Sequence, residues 1–175
     1  MRRNVPMKMN TRFLVQAAVI AALYSALVIA GTFTPVGFLM FGPIQIRIAE
    51  ALTILPFFTP AAVPGLFAGC LVSNIVGTAF APQFAILGWW DVPFGSLATL
   101  AAAAASRALR SHKWLVPLPP VLINAIVVGL EFTVSPIGTP FWLNFLTIGA
   151  GEVAACYVLG MPLLYALDRR RRIFE

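Results

Sequence analysis

Residues 13–30 read FLVQAAVIAALYSALVIA, an apolar stretch of 18 residues that follows the basic segment MRRNVPMKMNTR. A helix rises about 1.5 Å per residue, so about 20 residues cross the ~30 Å hydrocarbon core of a bilayer. The stretch therefore predicts a transmembrane helix. The basic segment also resembles the start of a signal peptide, but the apolar core of a signal peptide has only about 7–15 residues. This difference in length favours a retained helix.

The remainder of the 175-residue chain has the same character, since 60% of all residues are hydrophobic and 10% are charged. Soluble domains carry about 25% charged residues, so the composition indicates an all-α integral membrane protein. Long apolar runs separated by proline and glycine predict one membrane domain, 1–175, with six transmembrane helices. The predicted spans are 12–30, 44–58, 62–81, 92–109, 115–134 and 141–167, of which the second is short.

The net charge of +6 comes from basic residues that lie between the apolar runs. They occupy positions 2, 3, 8 and 12, then 107, 110 and 113, then 169–172, and Arg47 is the only other one. Cytoplasmic loops of membrane proteins carry an excess of Lys and Arg, so the pattern predicts cytoplasmic N- and C-termini in the plasma membrane. No basic face interleaved with aromatic residues exists, which argues against nucleic acid as a partner.

Motifs for catalysis are missing from the sequence. It contains no G-x-x-x-x-G-K-[ST], G-x-S-x-G or H-E-x-x-H, and its two cysteines, Cys70 and Cys156, lie in separate apolar runs. With a single histidine, His112, a transition-metal site is not expected. We therefore predict no enzyme, no catalytic residue, no metal and no cofactor. Active transport by this chain would take its energy from a partner or an ion gradient.

Ionisable residues nevertheless lie within the predicted spans. A charge at the bilayer centre costs about 2.5–3.5 kcal/mol on insertion scales, so such residues usually serve function or have a partner. In the predicted topology all of them fall in the outer half of the membrane or near its midplane, which predicts a cavity that opens to the outside. They are Arg47, Glu50, Asp91, Glu131 and Glu152, together with the amides Asn74, Asn124 and Asn144.

Each polar group also has a structural interpretation. Arg47 and Glu50, spaced i, i+3 on one helix face, either neutralise each other or face a ligand. Asp91, two residues before Pro93, is a candidate N-cap, and Asn74 and Asn124 are candidates for interhelical hydrogen bonds. Glu131 and Glu152 have no basic residue at helical spacing, which favours a functional role for them.

Aromatic and small residues add two further features. Trp89, Trp90 and Trp142 lie where an outer aromatic belt is expected, although the same rings could stack on a flat ligand. On the first helix, Ala18, Ala22 and Ala26 repeat at i, i+4, and small residues at this spacing let another helix approach closely. The alanine stripe packs either within the bundle or against another membrane protein.

Four blocks of the sequence resemble the QueT family, the substrate-binding S components of energy-coupling-factor (ECF) transporters for queuosine precursors. The blocks are QIRIAEALTILPFFTPAAVPGLFAGCLVSNI (45–75), DVPFGSLATLAAA (91–103), NAIVVGLE (124–131) and GAGE (149–152). The resemblance implies a six-helix bundle with an outward-facing ligand pocket. It also implies that the alanine stripe docks onto an ECF transmembrane coupling subunit, which two cytoplasmic ATPase subunits drive.

The predicted binding residues suit a 7-deazaguanine base, whose ring N–H and exocyclic amine one carboxylate can accept as a pair. We predict that Glu131, Glu152 and Asn124 bind the base edge and that Asp91 or Glu50 holds a cationic substituent, with Arg47 orienting Glu50. Asn144, Trp90 and Trp142 complete the predicted substrate-binding set. The alternatives are an S component for another vitamin or base, and a carrier that acts alone with proton coupling through Glu131 or Glu152.

Overall fold

The computed structural model describes residues 11–35, 37–42, 45–82 and 85–174, and these residues form helices and turns without a strand. In chain order the main elements are α1 (Thr11–Thr32), α2 (Phe38–Phe41), the 3-10 helix Ile48–Phe57, α3 (Ala62–Phe80), the 3-10 turn Gly88–Trp90, α4 (Asp91–Ala108), α5 (Leu118–Val134), α6 (Phe141–Val153), the π segment Ala154–Leu159 and α7 (Gly160–Asp168). Two more short 3-10 helices, Lys113–Leu115 and Arg171–Phe174, lie at one end of the bundle.

Four helices of the described ranges are long and apolar enough to cross a membrane. They are Thr11–Thr32, Ala62–Phe80, Lys113–Val134 and Phe141–Asp168. The predicted span 92–109 corresponds to the 18-residue α4. Segment 44–58 differs most from the prediction of a membrane-spanning helix, because the chain there forms a 3-10 helix of ten residues, Ile48–Phe57. At about 2.0 Å per residue this helix extends about 20 Å, less than the hydrocarbon core.

The 3-10 helix Ile48–Phe57 lies inside the bundle and not at its surface. Eight of its ten residues are buried, and it packs against α1, α4, α7 and the π segment. Non-α backbone is tolerated at membrane depth where protein surrounds it, and the narrow 3-10 helix fits between the surrounding helices. Arg107 of α4 closes its end by donating to the carbonyls of Pro56 (2.9 Å) and Phe57 (3.3 Å).

The helix pair α1 and α3 packs through small residues. A Cβ atom at Gly65 would lie 2.8 Å from the carbonyl oxygen of Ala17, and one at Gly69 would lie 2.9 Å from that of Ala21. The two backbones therefore touch, as in other small-residue helix contacts in membranes. This contact uses the stripe of Ala17 and Ala21 and leaves the neighbouring stripe, Ala18, Ala22 and Ala26, exposed.

The last membrane helix, Phe141–Asp168, is continuous but changes its hydrogen bonding in the middle. In the π segment Ala154–Leu159 the N–H of Gly160 donates to the carbonyl of Ala155, five residues back. Pro162 follows in α7 and has no N–H to continue the α-helical ladder there. The π segment begins two residues after Glu152 and packs against the 3-10 helix Ile48–Phe57. It therefore connects α6, which carries Glu152, with the helix that carries Glu50.

Several basic residues come together at one end of the bundle. Lys113 pairs with Asp168 at 2.6 Å, and Arg171 lies 4.0 Å from the other oxygen of the same carboxyl group. The Arg171 guanidinium also lies 5.3 Å from the centre of the Phe57 ring. The 107–113 and 169–172 clusters thus share one end, as the predicted topology requires.

Candidate functional site

The buried cation of the site is Arg47, which lies in an extended segment just before the 3-10 helix Ile48–Phe57. Its Nη2 forms an ion pair with Asp91 Oδ2 at 3.3 Å, and its Nε donates to the carbonyl of Met40 at 2.6 Å. The guanidinium lies 5.0 Å from the centre of the Phe41 ring. Asn74 Nδ2 donates to the backbone carbonyl of Asp91 at 2.9 Å. Arg47 therefore joins α2, the 3-10 helix and α4.

This arrangement corrects two predictions. Arg47 does not pair with Glu50 in the described structure: its backbone is extended, and its guanidinium turns to Met40 and Asp91. Asp91 is the first residue of α4, after the N-cap Trp90. One of its carboxyl oxygens pairs with Arg47 and the other has no partner among the described residues, so its side chain makes no capping bond. Asn74 takes the interhelical role that its sequence position predicted.

Glu50 is bound by α1 instead. The hydroxyl of Tyr24 donates to Glu50 Oε1 in a short hydrogen bond, and Tyr24 is completely buried. The other oxygen, Oε2, has no partner among the described residues. Thr53 closes the backbone locally by donating to the carbonyl of Glu50 at 2.6 Å. The sequence carried a signal for this contact, since a tyrosine in the middle of an apolar helix, away from the membrane interfaces, needs a buried partner.

Glu152 belongs to α6 and is bound by α5. Asn124 Nδ2 donates to Glu152 Oε1 at 2.9 Å, as an interhelical amide in a membrane protein can. The thiol of Cys156 lies 3.5 Å from Glu152 Oε2 and 3.6 Å from the backbone carbonyl of Glu50. Cys156 thus lies between two buried acids and acts as a packing residue with weak hydrogen bonds.

An apolar cavity of about 490 Å³ lies between α4, α5 and the segment before α4. Drug-sized ligands occupy sites of about 300–1,000 Å³ with a few polar groups on mainly apolar walls. The cavity has that composition, and Glu131 is its charged residue. Its lining consists of Ile86, Leu87, Trp90, Phe94, Val127, Leu130, Glu131, Val134, Ser135 and Pro136.

Two features of the cavity bear on a ligand. Both carboxyl oxygens of Glu131 are buried and have no hydrogen-bond partner among the described residues. Trp90 and Phe94 stack in parallel, with ring centres 6.0 Å apart and planes 19° apart. Phe94 was not among the predicted site residues, although its i, i+4 spacing from Trp90 could have indicated a shared face. The cavity can bind a flat, hydrogen-donating molecule.

Of the nine predicted substrate-binding residues, two line this cavity, Glu131 and Trp90. Five others make the buried contacts described above: Arg47, Glu50, Asp91, Asn124 and Glu152. The last two, Asn144 and Trp142, lie elsewhere on α6. Asn144 lies within hydrogen-bonding distance of Gly129 O (3.3 Å), Thr133 Oγ1 (3.2 Å) and Thr139 O (3.1 Å), and it accepts from the Thr139 hydroxyl at 2.8 Å. These bonds tie the connection between α5 and α6. Trp142 is 64% exposed on the outer surface of α6. This position agrees with an aromatic belt, one of the two interpretations of Trp142.

The buried polar groups are unbalanced in charge. The described core contains four buried acids, which we call the acid cluster: Glu50, Asp91, Glu131 and Glu152. Arg47 is the one buried base in the same ranges, and it pairs with Asp91. Buried acids without a counter-charge are costly, so the acid cluster favours a ligand that brings N–H donors or a positive charge. Within the described ranges, no three His, Cys, Asp or Glu side chains are grouped to hold a metal ion.

The sequence was compared with known proteins. The sequence model of the family described as "QueT transporter" matches residues 14–169. The "Queuosine precursor transporter QueT" of Lactococcus lactis subsp. cremoris (strain MG1363) is 28% identical over an aligned length of 179 residues. The alignment covers 93% of this chain and 96% of that relative. No solved structure matches the chain significantly. Together with the four helices that can cross a membrane, the family match makes this a multi-pass protein of the plasma membrane.

Proposed function

Because this chain belongs to the QueT transporter family, we propose that it is the substrate-binding S component of an ECF importer. Its substrate is a 7-deazaguanine precursor of queuosine. The name of the Lactococcus lactis relative supports this substrate. The protein binds its substrate without transforming it, since the sequence carries none of the catalytic motifs sought above.

The unpartnered carboxyl group of Glu131 beside stacked aromatic rings is the observation that carries the proposal. A 7-deazaguanine edge presents a ring N–H and an exocyclic amine, which the two oxygens of one carboxylate accept as a pair. The flat base then lies against Trp90 and Phe94, where offset stacking is favourable. A ligand of this kind satisfies both Glu131 oxygens, which have no partner in the described part of the chain.

The rest of the acid cluster supports an amine-bearing precursor. Glu152 accepts a hydrogen bond from Asn124, which lies two turns before Glu131 on α5. Asp91 and Glu50 each retain one unpartnered oxygen for an ammonium group. Arg47 orients Asp91 through its ion pair, where the sequence had suggested Glu50. The excess of acids over bases means that an ammonium group on the ligand reduces the electrostatic imbalance.

Calorimetric titration of the purified chain with the aminomethyl and cyano 7-deazaguanines tests the substrate. We expect tight binding of a precursor and no measurable binding of riboflavin, thiamine or guanine. The aminomethyl compound is expected to bind more tightly than the cyano compound because only it carries an ammonium for the acid cluster. Absence of binding to both precursors by a folded sample would contradict the substrate assignment.

For transport, both termini lie in the cytoplasm and α1 faces a transmembrane coupling subunit. The exposed alanines Ala18, Ala22 and Ala26 form the docking face, while the adjoining Ala17 and Ala21 stripe already packs on α3. Since the chain has no nucleotide-binding motif of its own, two cytoplasmic ATPase subunits supply the energy. Uptake into vesicles by this chain alone, driven by a pH gradient, would instead favour the proton-coupled carrier.

A bulky residue on the docking face is expected to prevent assembly without affecting binding. Ala22→Trp places an indole where the coupling subunit must approach closely, so we expect at least about a tenfold loss of co-purified coupling and ATPase subunits. Affinity for the precursor is expected to stay unchanged because Ala22 is exposed and lies outside the cavity. Leu146→Trp, on the exposed surface of α6, is the matched control, and assembly equal to it would contradict the docking face.

A further inference from the structure

Two hollows lie side by side at the start of α4. The first is the cavity of about 490 Å³ that Glu131 lines. The second, which we call the side hollow, is too narrow for a water molecule. The residues that bound the side hollow are Phe41, Ala85, Leu87, Gly88 and Asp91. Leu87 lines both hollows, so its side chain is part of the partition between the cavity and Asp91.

The backbone between Leu87 and Asp91 is held in place. Gly88 has a φ of +58°, a left-handed conformation that favours glycine, and the 3-10 turn Gly88–Trp90 leads from it directly into α4. The hydroxyl of Thr78 on α3 donates to the carbonyl of Gly88 at 3.2 Å. The turn therefore places Leu87 and Asp91 on the same hollow and fixes the main chain between them.

The side chain of Leu87 is the part of this partition that can move. It is 7% exposed and packs against Val128, Phe132 and Ile148 on one side. On another side it borders the cavity, which offers space for a different staggered rotamer. A change of rotamer at Leu87 would connect the side hollow with the cavity without moving the backbone.

Asp91 provides the side hollow with an available acceptor. Its Oδ2 pairs with Arg47, whereas its Oδ1 is buried without a partner among the described residues. Phe41, on another wall, already has the Arg47 guanidinium 5.0 Å from its ring centre, and an aromatic face attracts cations. A small ammonium group therefore suits the side hollow better than a neutral or anionic group.

We propose that Leu87 is a specificity-determining residue that turns aside for the 7-substituent of the bound 7-deazaguanine, so that an ammonium on this substituent reaches Asp91. The inference rests on the proposed function and deepens it, because it names the acid that recognises the substituent. The base edge remains on Glu131 and the ring lies against Trp90 and Phe94. An unsubstituted base leaves Leu87 in place and gains nothing from Asp91.

The test compares aminomethyl 7-deazaguanine with unsubstituted 7-deazaguanine by calorimetric titration of each variant. Wild-type protein is expected to prefer the aminomethyl compound at least about tenfold, because a charge-assisted hydrogen bond is strong. Leu87→Phe is expected to remove most of this preference, because the larger ring fills the side hollow. Leu87→Ala is expected to keep or increase it, because the two hollows then join without a change of rotamer. The ratio of two dissociation constants in one sample does not depend on the folded fraction.

Two further variants identify the acid and provide the control. Asp91→Asn is expected to abolish the preference, and adding Leu87→Phe to Asp91→Asn is expected to change it no further. Leu164→Phe is the matched control, since Leu164 is a buried leucine of α7 that lines neither hollow. Its preference for the aminomethyl compound is expected to equal that of wild type.

The outcomes separate the role of Leu87 from the proposed function. An unchanged preference in Leu87→Phe, or an equal loss of preference in Leu87→Phe and Leu87→Ala, would overturn the role of Leu87 and leave the proposed function intact. A wild type that binds both bases equally would do the same. Failure of the wild type to bind either base would overturn the proposed function, and the role of Leu87 with it.

Discussion

Replacing Glu131 by glutamine is expected to weaken precursor binding about 10- to 100-fold. Hydrogen bonds to a charged group contribute about 1.5–3 kcal/mol, and every 1.4 kcal/mol is a factor of ten in affinity. Glutamine has nearly the same shape but replaces one acceptor oxygen with an NH2 group that opposes the N–H donors of the base. Calorimetric titration of Glu131→Gln with the aminomethyl precursor measures the loss.

The same substitution is expected to leave the fold intact or to stabilise it. Neither Glu131 oxygen has a hydrogen-bond partner among the residues that the structure describes, so the change removes a buried acid and breaks no described contact. Thermal unfolding in detergent should therefore show an equal or higher transition temperature without ligand. Asp168→Asn is the control carboxyl substitution, since Asp168 pairs with Lys113 in another part of the bundle, and we expect it to bind normally. Wild-type affinity in Glu131→Gln would remove Glu131 from the site.

Replacing Arg47 by methionine is expected to cause the largest loss of stability. The guanidinium is 5% exposed and holds Asp91, the carbonyl of Met40 and the Phe41 ring. Removal of one partner from a buried ion pair costs about 3–5 kcal/mol because the other charge remains unpaired. For a protein of this size that corresponds to a decrease in the unfolding temperature on the order of 10 °C. Thermal unfolding of Arg47→Met in detergent measures it.

A second substitution in the Arg47→Met protein identifies the acid that pairs with Arg47. Adding Asp91→Asn to Arg47→Met removes the orphaned acid, so we expect the double variant to recover a substantial part of the lost stability. Adding Glu50→Gln should recover less, because Glu50 is bound by Tyr24 and does not pair with Arg47. Greater recovery with Glu50→Gln would contradict the ion pair of the structure and support the pairing that sequence spacing suggested.

The sequence identified the buried acids but not their partners. Glu131 and Glu152 stood out because no basic residue lies near them at helical spacing, and Glu131 lines the cavity with no partner among the described residues. Arg47 and Glu50 were paired because i, i+3 residues share a face of an α-helix. That step failed because Arg47 precedes the helix in extended backbone, and its guanidinium turns to Met40 and Asp91.

Residues that act through distant contacts were the ones that sequence analysis missed. Tyr24 reaches Glu50 across 26 positions. Phe94 stacks on Trp90, and the two rings form part of the wall of a cavity that exists only where separate helices meet. No local pattern encodes such contacts, because each depends on how far separate helices rotate and slide against one another.

Four blocks of the sequence resembled the QueT family. By itself, the sequence also determined that this is a helical membrane protein, which segments are apolar, and which ionisable groups lie in those segments. The last three properties follow from composition summed over the length of a bilayer crossing, and they need no partner from elsewhere in the chain. Only the tertiary structure decided that Arg47 pairs with Asp91, that Tyr24 binds Glu50 and that Glu131 has no hydrogen-bond partner among the described residues. A buried polar atom finds its partner through the packing of several helices, and packing brings together residues that the chain keeps far apart.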